Sequence, residues 1–360
     1  MSMIASYMAV AVQSEVQVAR NKEKVALNLK HHLQVIDFVH NFSNLELPIK
    51  LIVFPEFFLQ GWAQFYINHD TYVKDIAISI PGEETEKLGE KAKQYNCYIC
   101  GAALALDPEW PDRYFNCAFI VGPSGEVIHK YYKLGAIINM VEHSVSPHDM
   151  YDAFVKKYGD SLDAFFPVTD TEIGRLGTFI CYDGAYPEIA RGLAVNGAEL
   201  LLRPTAWLEP WQSIPSTRDG WWNLQNRARA MDNVCYLVAP NWGNTGGERV
   251  IMRSFTPGGS MIVDYRGRVL ASADYVGETF IYSQINIEAL REFRAKARWG
   301  NFVPTLRSEV YAKIYERSYW PKNSFLAKPP QTLNDVWPVA DEAIKQCLER
   351  GIFVPPAVQP

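Results

Sequence analysis

Thr178-Phe179-Ile180-Cys181-Tyr182-Asp183-Gly184-Ala185-Tyr186-Pro187-Glu188 reads as a strand, a tight turn and the start of a helix. Thr178-Phe179-Ile180 is β-branched and apolar, as a buried strand requires. Pro187 suits the first helical position, where its fixed φ fits and its missing N–H costs nothing. A cysteine on such a turn projects from the edge of a sheet. Nearby backbone N–H groups and the helix N-terminus would favour a thiolate there and could hold a developing oxyanion. Most buried cysteines are inert small hydrophobes, so position alone does not make Cys181 a nucleophile.

Strand-then-helix units continue on both sides. Upstream, 9–13 reads as a first buried strand, after which Val25, Leu29, Leu33, Ile36 and Val39 recur at helical spacing. Leu51-Ile52-Val53-Phe54 is a short apolar run ended by Pro55-Glu56; 85–95 reads as a helix and 97–104 as a strand. Residues 116–121 and 126–132 form a hairpin pattern through Gly122-Pro123-Ser124-Gly125. A second hairpin joins 260–264 to 268–272 through Arg266-Gly267. Between them, 199–202 leads to a helix around 221–231, and 234–239 is a further strand. Near-continuous apolar strands imply sheets buried on both faces and the hairpins imply mixed sheets, so an α/β layered sandwich is expected. Gly243-Asn244-Thr245-Gly246-Gly247 lacks the Gly-Lys-Ser/Thr ending of a phosphate loop and reads as a flexible connection. Residues 143–168 look like an insertion. After about residue 300 the chain is rich in aromatics and Pro, a tail expected to lie over the core or over a neighbouring subunit.

The 360 residues carry a formal net charge of −5, with 48% hydrophobic and 21% charged residues. That balance is ordinary for a globular protein and argues against a nucleic-acid partner, which calls for a basic patch. No apolar run reaches the ~18 residues expected of a membrane span. Residues 1–13 lack the basic region and small-residue cleavage site of a signal peptide, so a cytoplasmic location is expected. The six cysteines, at 97, 100, 117, 181, 235 and 347, are too sparse for a disulfide framework. Cys97-Tyr98-Ile99-Cys100 has no second Cys or His pair beside it, and His143 and His148 lack the HExxH spacing, so no metal site is expected.

Two other segments carry chemistry. Glu56 ends a strand within Phe54-Pro55-Glu56-Phe57, where burial among aromatics can bring a carboxylate into general-base range; the plain alternative is a solvated turn acid. Lys133 closes His129-Lys130-Tyr131-Tyr132-Lys133 at or just after the end of a hairpin strand. Strand alternation sends Lys133 and Tyr131 one way and Lys130 and Tyr132 the other. One lysine can then point inward while the other meets solvent; the alternative is a pair of surface lysines.

In combination these segments resemble the carbon–nitrogen hydrolase (nitrilase) superfamily, from about residue 7 to about residue 290. Phe54-Pro55-Glu56 is similar to its glutamate motif, and Lys130-Tyr131-Tyr132-Lys133-Leu134 to its lysine motif, with the second lysine as the catalytic one. Ile180-Cys181-Tyr182-Asp183 through Pro187-Glu188 is similar to its cysteine motif, and the three follow the family's order. The resemblance implies an α/β fold, a four-layer α-β-β-α sandwich with two mixed sheets, over residues 1–298, with 143–168 as an insertion and 299–360 as a C-terminal extension. It implies Glu56, Lys133 and Cys181 as the catalytic set. Glu142, nine residues after Lys133, is implied as a further catalytic residue that would position the substrate amide and assist proton transfer.

Asp183-Gly184-Ala185-Tyr186-Pro187-Glu188-Ile189, then Arg191, Gly197-Ala198-Glu199-Leu200 and Arg203, is most similar to the aliphatic amidase and formamidase branch. Nitrilases usually carry Trp-Glu after the cysteine, and carbamoyl-amino-acid hydrolases Asn-Asp. By the same resemblance Phe57, Tyr182 and Trp207 contribute to the substrate pocket, and the Tyr182 N–H joins Lys133 in holding the oxyanion. No metal or organic cofactor is implied, and the chain is expected to form a homo-oligomer built from dimers. Two departures touch the pocket. Phe57 stands where that branch commonly has tyrosine, and Leu134-Gly135-Ala136-Ile137-Ile138-Asn139-Met140-Val141 replaces a segment that normally holds a Pro-Trp pair. The expected activity is hydrolysis of a small, aliphatic amide to acid and ammonia through a cysteine thioester. A nitrilase or a carbamoyl-amide hydrolase is the alternative, and a non-catalytic binding protein is the rival of a different class. The expected partner is a small-molecule amide, with neither nucleic acid nor membrane.

Overall fold

The computed structural model describes residues 3–42, 45–62, 67–135, 143–207, 209–210, 220–246, 255–256, 258–273 and 275–356. Alternation along the first strand shows how its layers arise. In β1 (Tyr7–Gln13), Val10 and Val12 pack with Val25, Leu29 and Ile36 of a covering helix. Ala9 and Ala11, on the other face, pack with Leu200, Leu202 and Val238 of a second sheet. Small side chains on that face let the two sheets approach to the ~10 Å of an aligned sandwich.

The first sheet has seven strands. Its main path runs β12-β1-β2-β3-β4-β5, where β2 is Ile49–Glu56, β3 Tyr98–Leu106, β4 Tyr114–Val121, β5 Val127–Tyr132 and β12 Thr279–Ile285. β1, β2 and β3 are parallel, and β12, β4 and β5 pair antiparallel at the two sides. The second sheet has six strands in the order β11-β10-β9-β8-β7-β6. These are β6 Val168–Thr171, β7 Gly174–Thr178, β8 Leu200–Leu202, β9 Tyr236–Ala239, β10 Met261–Val263 and β11 Val269–Ser272. Again the central three, β7, β8 and β9, are parallel and the flanks antiparallel. Both sheets are mixed, as their hairpins imply.

Helices α1 (Lys22–Phe42) and α2 (Glu83–Tyr95) cover the outer face of the first sheet, with Leu29, Ile36, Leu88 and Ala92 packed against Ile52, Phe54 and Ile99. Helices α3 (Pro187–Val195) and α4 (Trp221–Asn233) cover the second, where Ala190, Leu193, Trp222 and Ala230 meet Leu201, Leu237 and Val263. The layers are therefore α-β-β-α. No helix among the described residues is long and apolar enough to cross a membrane.

One connection differs from its reading in the sequence. Asn244–Gly246 pairs in parallel with Glu15–Gln17 rather than standing as a free link. Backbone N–H and C=O groups make that ladder, and they leave no mark in side-chain pattern. The segment 143–168 folds as short helices, including Tyr151–Tyr158, and the tail lies against it. Asn323 N–H donates to the His148 carbonyl at 3.0 Å and Phe325 N–H to that of Asp149 at 3.1 Å. Arg113 Nη1 donates to the Phe325 carbonyl at 2.9 Å.

Candidate active site

Strand direction brings two of the expected residues to one edge. β5 is antiparallel to β4, which is antiparallel to β3, so β5 runs with β2 and both end on the same side. Glu56 is the last residue of β2 and Lys133 follows directly after β5. Alternation along β5 buries Tyr131 and Lys133 and leaves Lys130 exposed. Lys133 Nζ donates to Glu56 Oε1 at 2.8 Å. Asn116 Nδ2, from the neighbouring strand β4, donates to the same oxygen at 2.7 Å. Oε2 accepts from the Ala206 N–H at 3.0 Å, and Trp242 Nε1 donates to the Glu56 carbonyl at 2.7 Å. A buried carboxylate needs such partners to stay in place.

Cys181 comes to this pair from the second sheet. The ladder of β7 and β8 continues past the strand ends, with Phe179 N–H on the Leu202 carbonyl and Cys181 N–H on that of Pro204 at 3.0 Å. Cys181 itself has φ of 45°, a left-handed conformation in a residue with a Cβ. That conformation costs ~1–2 kcal/mol and persists where the surroundings over-determine it, as at functional sites. A single 3-10 turn over Cys181–Ala185 then carries the chain into α3, with Pro187 in its first turn as the sequence implies.

Asp183 ties the cysteine turn to the lysine strand. Its carboxylate accepts from the Ile180 N–H at 2.9 Å, from the Tyr131 hydroxyl at 2.8 Å and from the Gly135 N–H at 2.6 Å. Burial raises the Asp183 carboxyl above its ordinary range, opposed by the nearby Lys133 charge and these bonds. Burial and the Glu56 charge push the Cys181 thiol well up, while Lys133, Arg203 and the Ala206 N–H pull against them. Glu56, Lys133 and Cys181 thus share one electrostatic neighbourhood. At neutral pH the resting sulfur is a thiol, so its reaction as a nucleophile needs a base beside it, and the adjacent carboxylate is one. Two other buried thiols lack that setting: burial alone accounts for the raised Cys100, and burial pushes Cys97 up to about 12. The described residues hold no group of three or more His, Cys, Asp or Glu placed to bind a metal ion.

Over residues 11–295 the sequence matches the carbon-nitrogen hydrolase family. The chain belongs to the carbon-nitrogen hydrolase family. It is 30% identical over 232 residues to omega-amidase NIT2 of Mus musculus, covering 62% of this chain and 74% of that one. It is 30% identical over 241 residues to a formamidase of Bacillus cereus (strain Q1), covering 66% of this chain and 63% of that one. Nit3 of Saccharomyces cerevisiae, a member of branch 10 of the nitrilase superfamily, shares the fold with a TM-score of 0.63 at 24% identity, covering 83% of this chain and 97% of that one. The protein is accordingly an enzyme, a hydrolase of carbon–nitrogen bonds.

In this carbon-nitrogen hydrolase the remaining expected site residues fall in different places. Tyr182 is half-buried beside Cys181, its ring in edge contact with Tyr186 at 5.7 Å. Trp207 is half-buried and packs against the cluster that holds Cys181 and Phe179. Asn241 fixes its backbone on both sides, at 2.7 Å to the N–H and 2.8 Å to the carbonyl. Phe57 is buried in the core between the first sheet and its helices, against Trp242. Glu142 lies outside the described residues. Asn116 and Asp183 are functional candidates to which the sequence assigned no role. Asn116 had a signal: it is the one polar side chain within Tyr114-Phe115-Asn116-Cys117-Ala118-Phe119-Ile120-Val121, a strand buried throughout.

Proposed function

We propose that this chain hydrolyses a small, aliphatic amide to a carboxylic acid and ammonia through a thioester on Cys181. The observation that carries the reading is the buried Glu56–Lys133 pair set beside a cysteine held in a strained turn. In the first half-reaction Glu56 takes the thiol proton as Cys181 Sγ attacks the amide carbonyl. Lys133 and the Tyr182 N–H hold the oxyanion of the tetrahedral intermediate. Glu56 then gives its proton to the leaving nitrogen, the C–N bond breaks and ammonia departs. Water, deprotonated by the same glutamate, attacks the thioester; the C–S bond breaks, the acid leaves and the thiol is restored.

Kinship with an omega-amidase and a formamidase supports the amide assignment. The half-buried aromatic side chains of Tyr182 and Trp207 support a compact substrate. The same reading includes a homo-oligomer built from dimers, supported by Trp221 and Leu224, which stand 69% and 64% exposed on the outer helix α4.

Ammonia release from formamide, short aliphatic amides, carbamoyl amino acids and simple nitriles tests the substrate class. Turnover confined to the amides is expected. Turnover of carbamoyl compounds or nitriles with silence on amides would keep the catalytic set and overturn the substrate.

A further inference from the structure

A second charged side chain is built into the cysteine turn, and the steps above do not use it. Arg203, directly after β8, is fully buried. Two of its N–H groups converge on the carbonyl oxygen of Cys181, Nε at 2.9 Å and Nη2 at 2.5 Å. The next residue, Pro204, accepts the Cys181 N–H at 3.0 Å. Both backbone polar groups of Cys181 are therefore held by one short segment, itself anchored to β9 by Arg203 N–H on the Val238 carbonyl at 2.9 Å.

The guanidinium is in turn locked from the helix side. Nη1 donates to Asn226 Oδ1 at 2.5 Å and Nη2 to Gln225 Oε1 at 2.8 Å, both from α4. Trp222 and Phe179 lie 4.8 and 5.7 Å from its central carbon. Glycine at 184 makes the space, since a Cβ there would fall 2.2 Å from that carbon. Among the described residues every hydrogen-bond partner of the guanidinium is a neutral oxygen. A buried cation is ordinarily paired with a carboxylate, because desolvating an unpaired charge is expensive. Here no carboxylate of the described residues is bonded to the guanidinium, although Asp183 and Glu56 lie within its electrostatic reach, and Cys181 is the residue it grips. Burial lowers the Arg203 pKa to about 10, which still leaves it charged at neutral pH.

We propose that Arg203 is a positioning residue for the nucleophile: its fork holds the Cys181 carbonyl so that the turn keeps its left-handed form, and its charge, with no carboxylate bonded to it, stabilises the thiolate. The proposal rests on Cys181 being the nucleophile. It explains why the fork is set with amide and carbonyl partners, since a carboxylate against the guanidinium would cancel the charge at the sulfur.

Alkylation of Cys181 by iodoacetamide, followed by mass spectrometry across pH, reads the thiol directly and needs no turnover. In Arg203→Gln the rising acid limb of the rate–pH profile should move up by about one pH unit, an about tenfold lower rate at a given pH on that limb. A residue with a structural role only would lower the unfolding midpoint and the turnover while leaving that limb in place, and this result would overturn the proposal. Should Arg203→Gln not fold, Gln225→Glu decides, because it keeps the packing and sets a carboxylate on the guanidinium. The same upward displacement is expected there, and an unmoved limb overturns the proposal. Whether Cys181 is the nucleophile at all is read separately, from turnover by Cys181→Ala, so the two failures are told apart.

Discussion

Lys133 Nζ donates to Glu56 Oε1 across 2.8 Å, and the two side chains are 2% and 1% exposed. The two residues come from strands separated by β3 and β4, so the contact exists only in the folded sheet. A charge pair this deep resists removal of one partner, since the survivor stays charged without its counter-ion. Lys133→Met should therefore destabilise the fold by ~3–5 kcal/mol. Adding Glu56→Gln in the same chain should recover a good part of that loss. Denaturant unfolding of the singles and the double measures the coupling, and additive losses would contradict it.

Asn116 Nδ2 holds Glu56 Oε1 at 2.7 Å. A lost hydrogen bond to a buried charged group is worth ~1.5–3 kcal/mol. Asn116→Ala should lower kcat about ten- to a hundredfold, by letting the carboxylate turn, with little change in KM. Steady-state kinetics on the best amide checks it. A KM effect with kcat intact would place Asn116 in substrate binding instead.

His129 joins the two sheets. Its Nδ1 meets Thr169 Oγ1 and its Nε2 meets Thr178 Oγ1, each at 2.8 Å, with the ring buried. Burial depresses its pKa from 6.5 to about 4. The unfolded chain then binds the extra proton first, so ν_U exceeds ν_N between these values and stability rises with pH. The contribution is complete above about pH 6.5 and is lost as pH falls toward about 4, at up to ~1.4 kcal/mol per pH unit. Unfolding free energy measured from pH 7 to pH 4.5 should fall less steeply in His129→Gln than in the parent chain. Equal slopes would contradict a neutral, buried His129.

Trp221 and Leu224 give the outer helix an apolar face that water covers in the single chain. If that face meets a second copy, Leu224→Glu with Trp221→Glu should reduce the mass seen by light scattering while the far-ultraviolet circular dichroism holds. An unchanged mass would place the interface elsewhere.

How much of this was open to reading from sequence depends on the kind of signal. Cys181 and Pro187 mark a strand, a turn and a helix start within a few residues; the structure has the turn and the helix there, while the strand ends at Thr178 and only its hydrogen bonding runs on past it. Lys133 could be told from Lys130 because strand periodicity is strict, and the inward side of Tyr131 is the inward side of Lys133. Arg203 was visible only as part of a motif, since nothing local separates a buried arginine from one in solvent; its place is set by Trp222, Asn226 and Gly184 across the fold. The pairing of Asn244–Gly246 with Glu15–Gln17 was beyond reach for a related reason, because it joins backbone groups distant in the chain through residues with weak strand preference. Phe57, which the resemblance places in the pocket, has a φ of 55° that no sequence signal marks, and its ring packs in the core beside Trp242.

Ammonia release by the Cys181→Ala chain, set against the parent enzyme on the amide it turns over fastest, tests the central claim most directly. The variant should fold, with an unchanged circular dichroism spectrum, and lose turnover by at least about a thousandfold, as nucleophile removal does elsewhere. Ammonia release within about tenfold of the parent enzyme would contradict a thioester on Cys181 and with it the mechanism drawn from the Glu56–Lys133 pair.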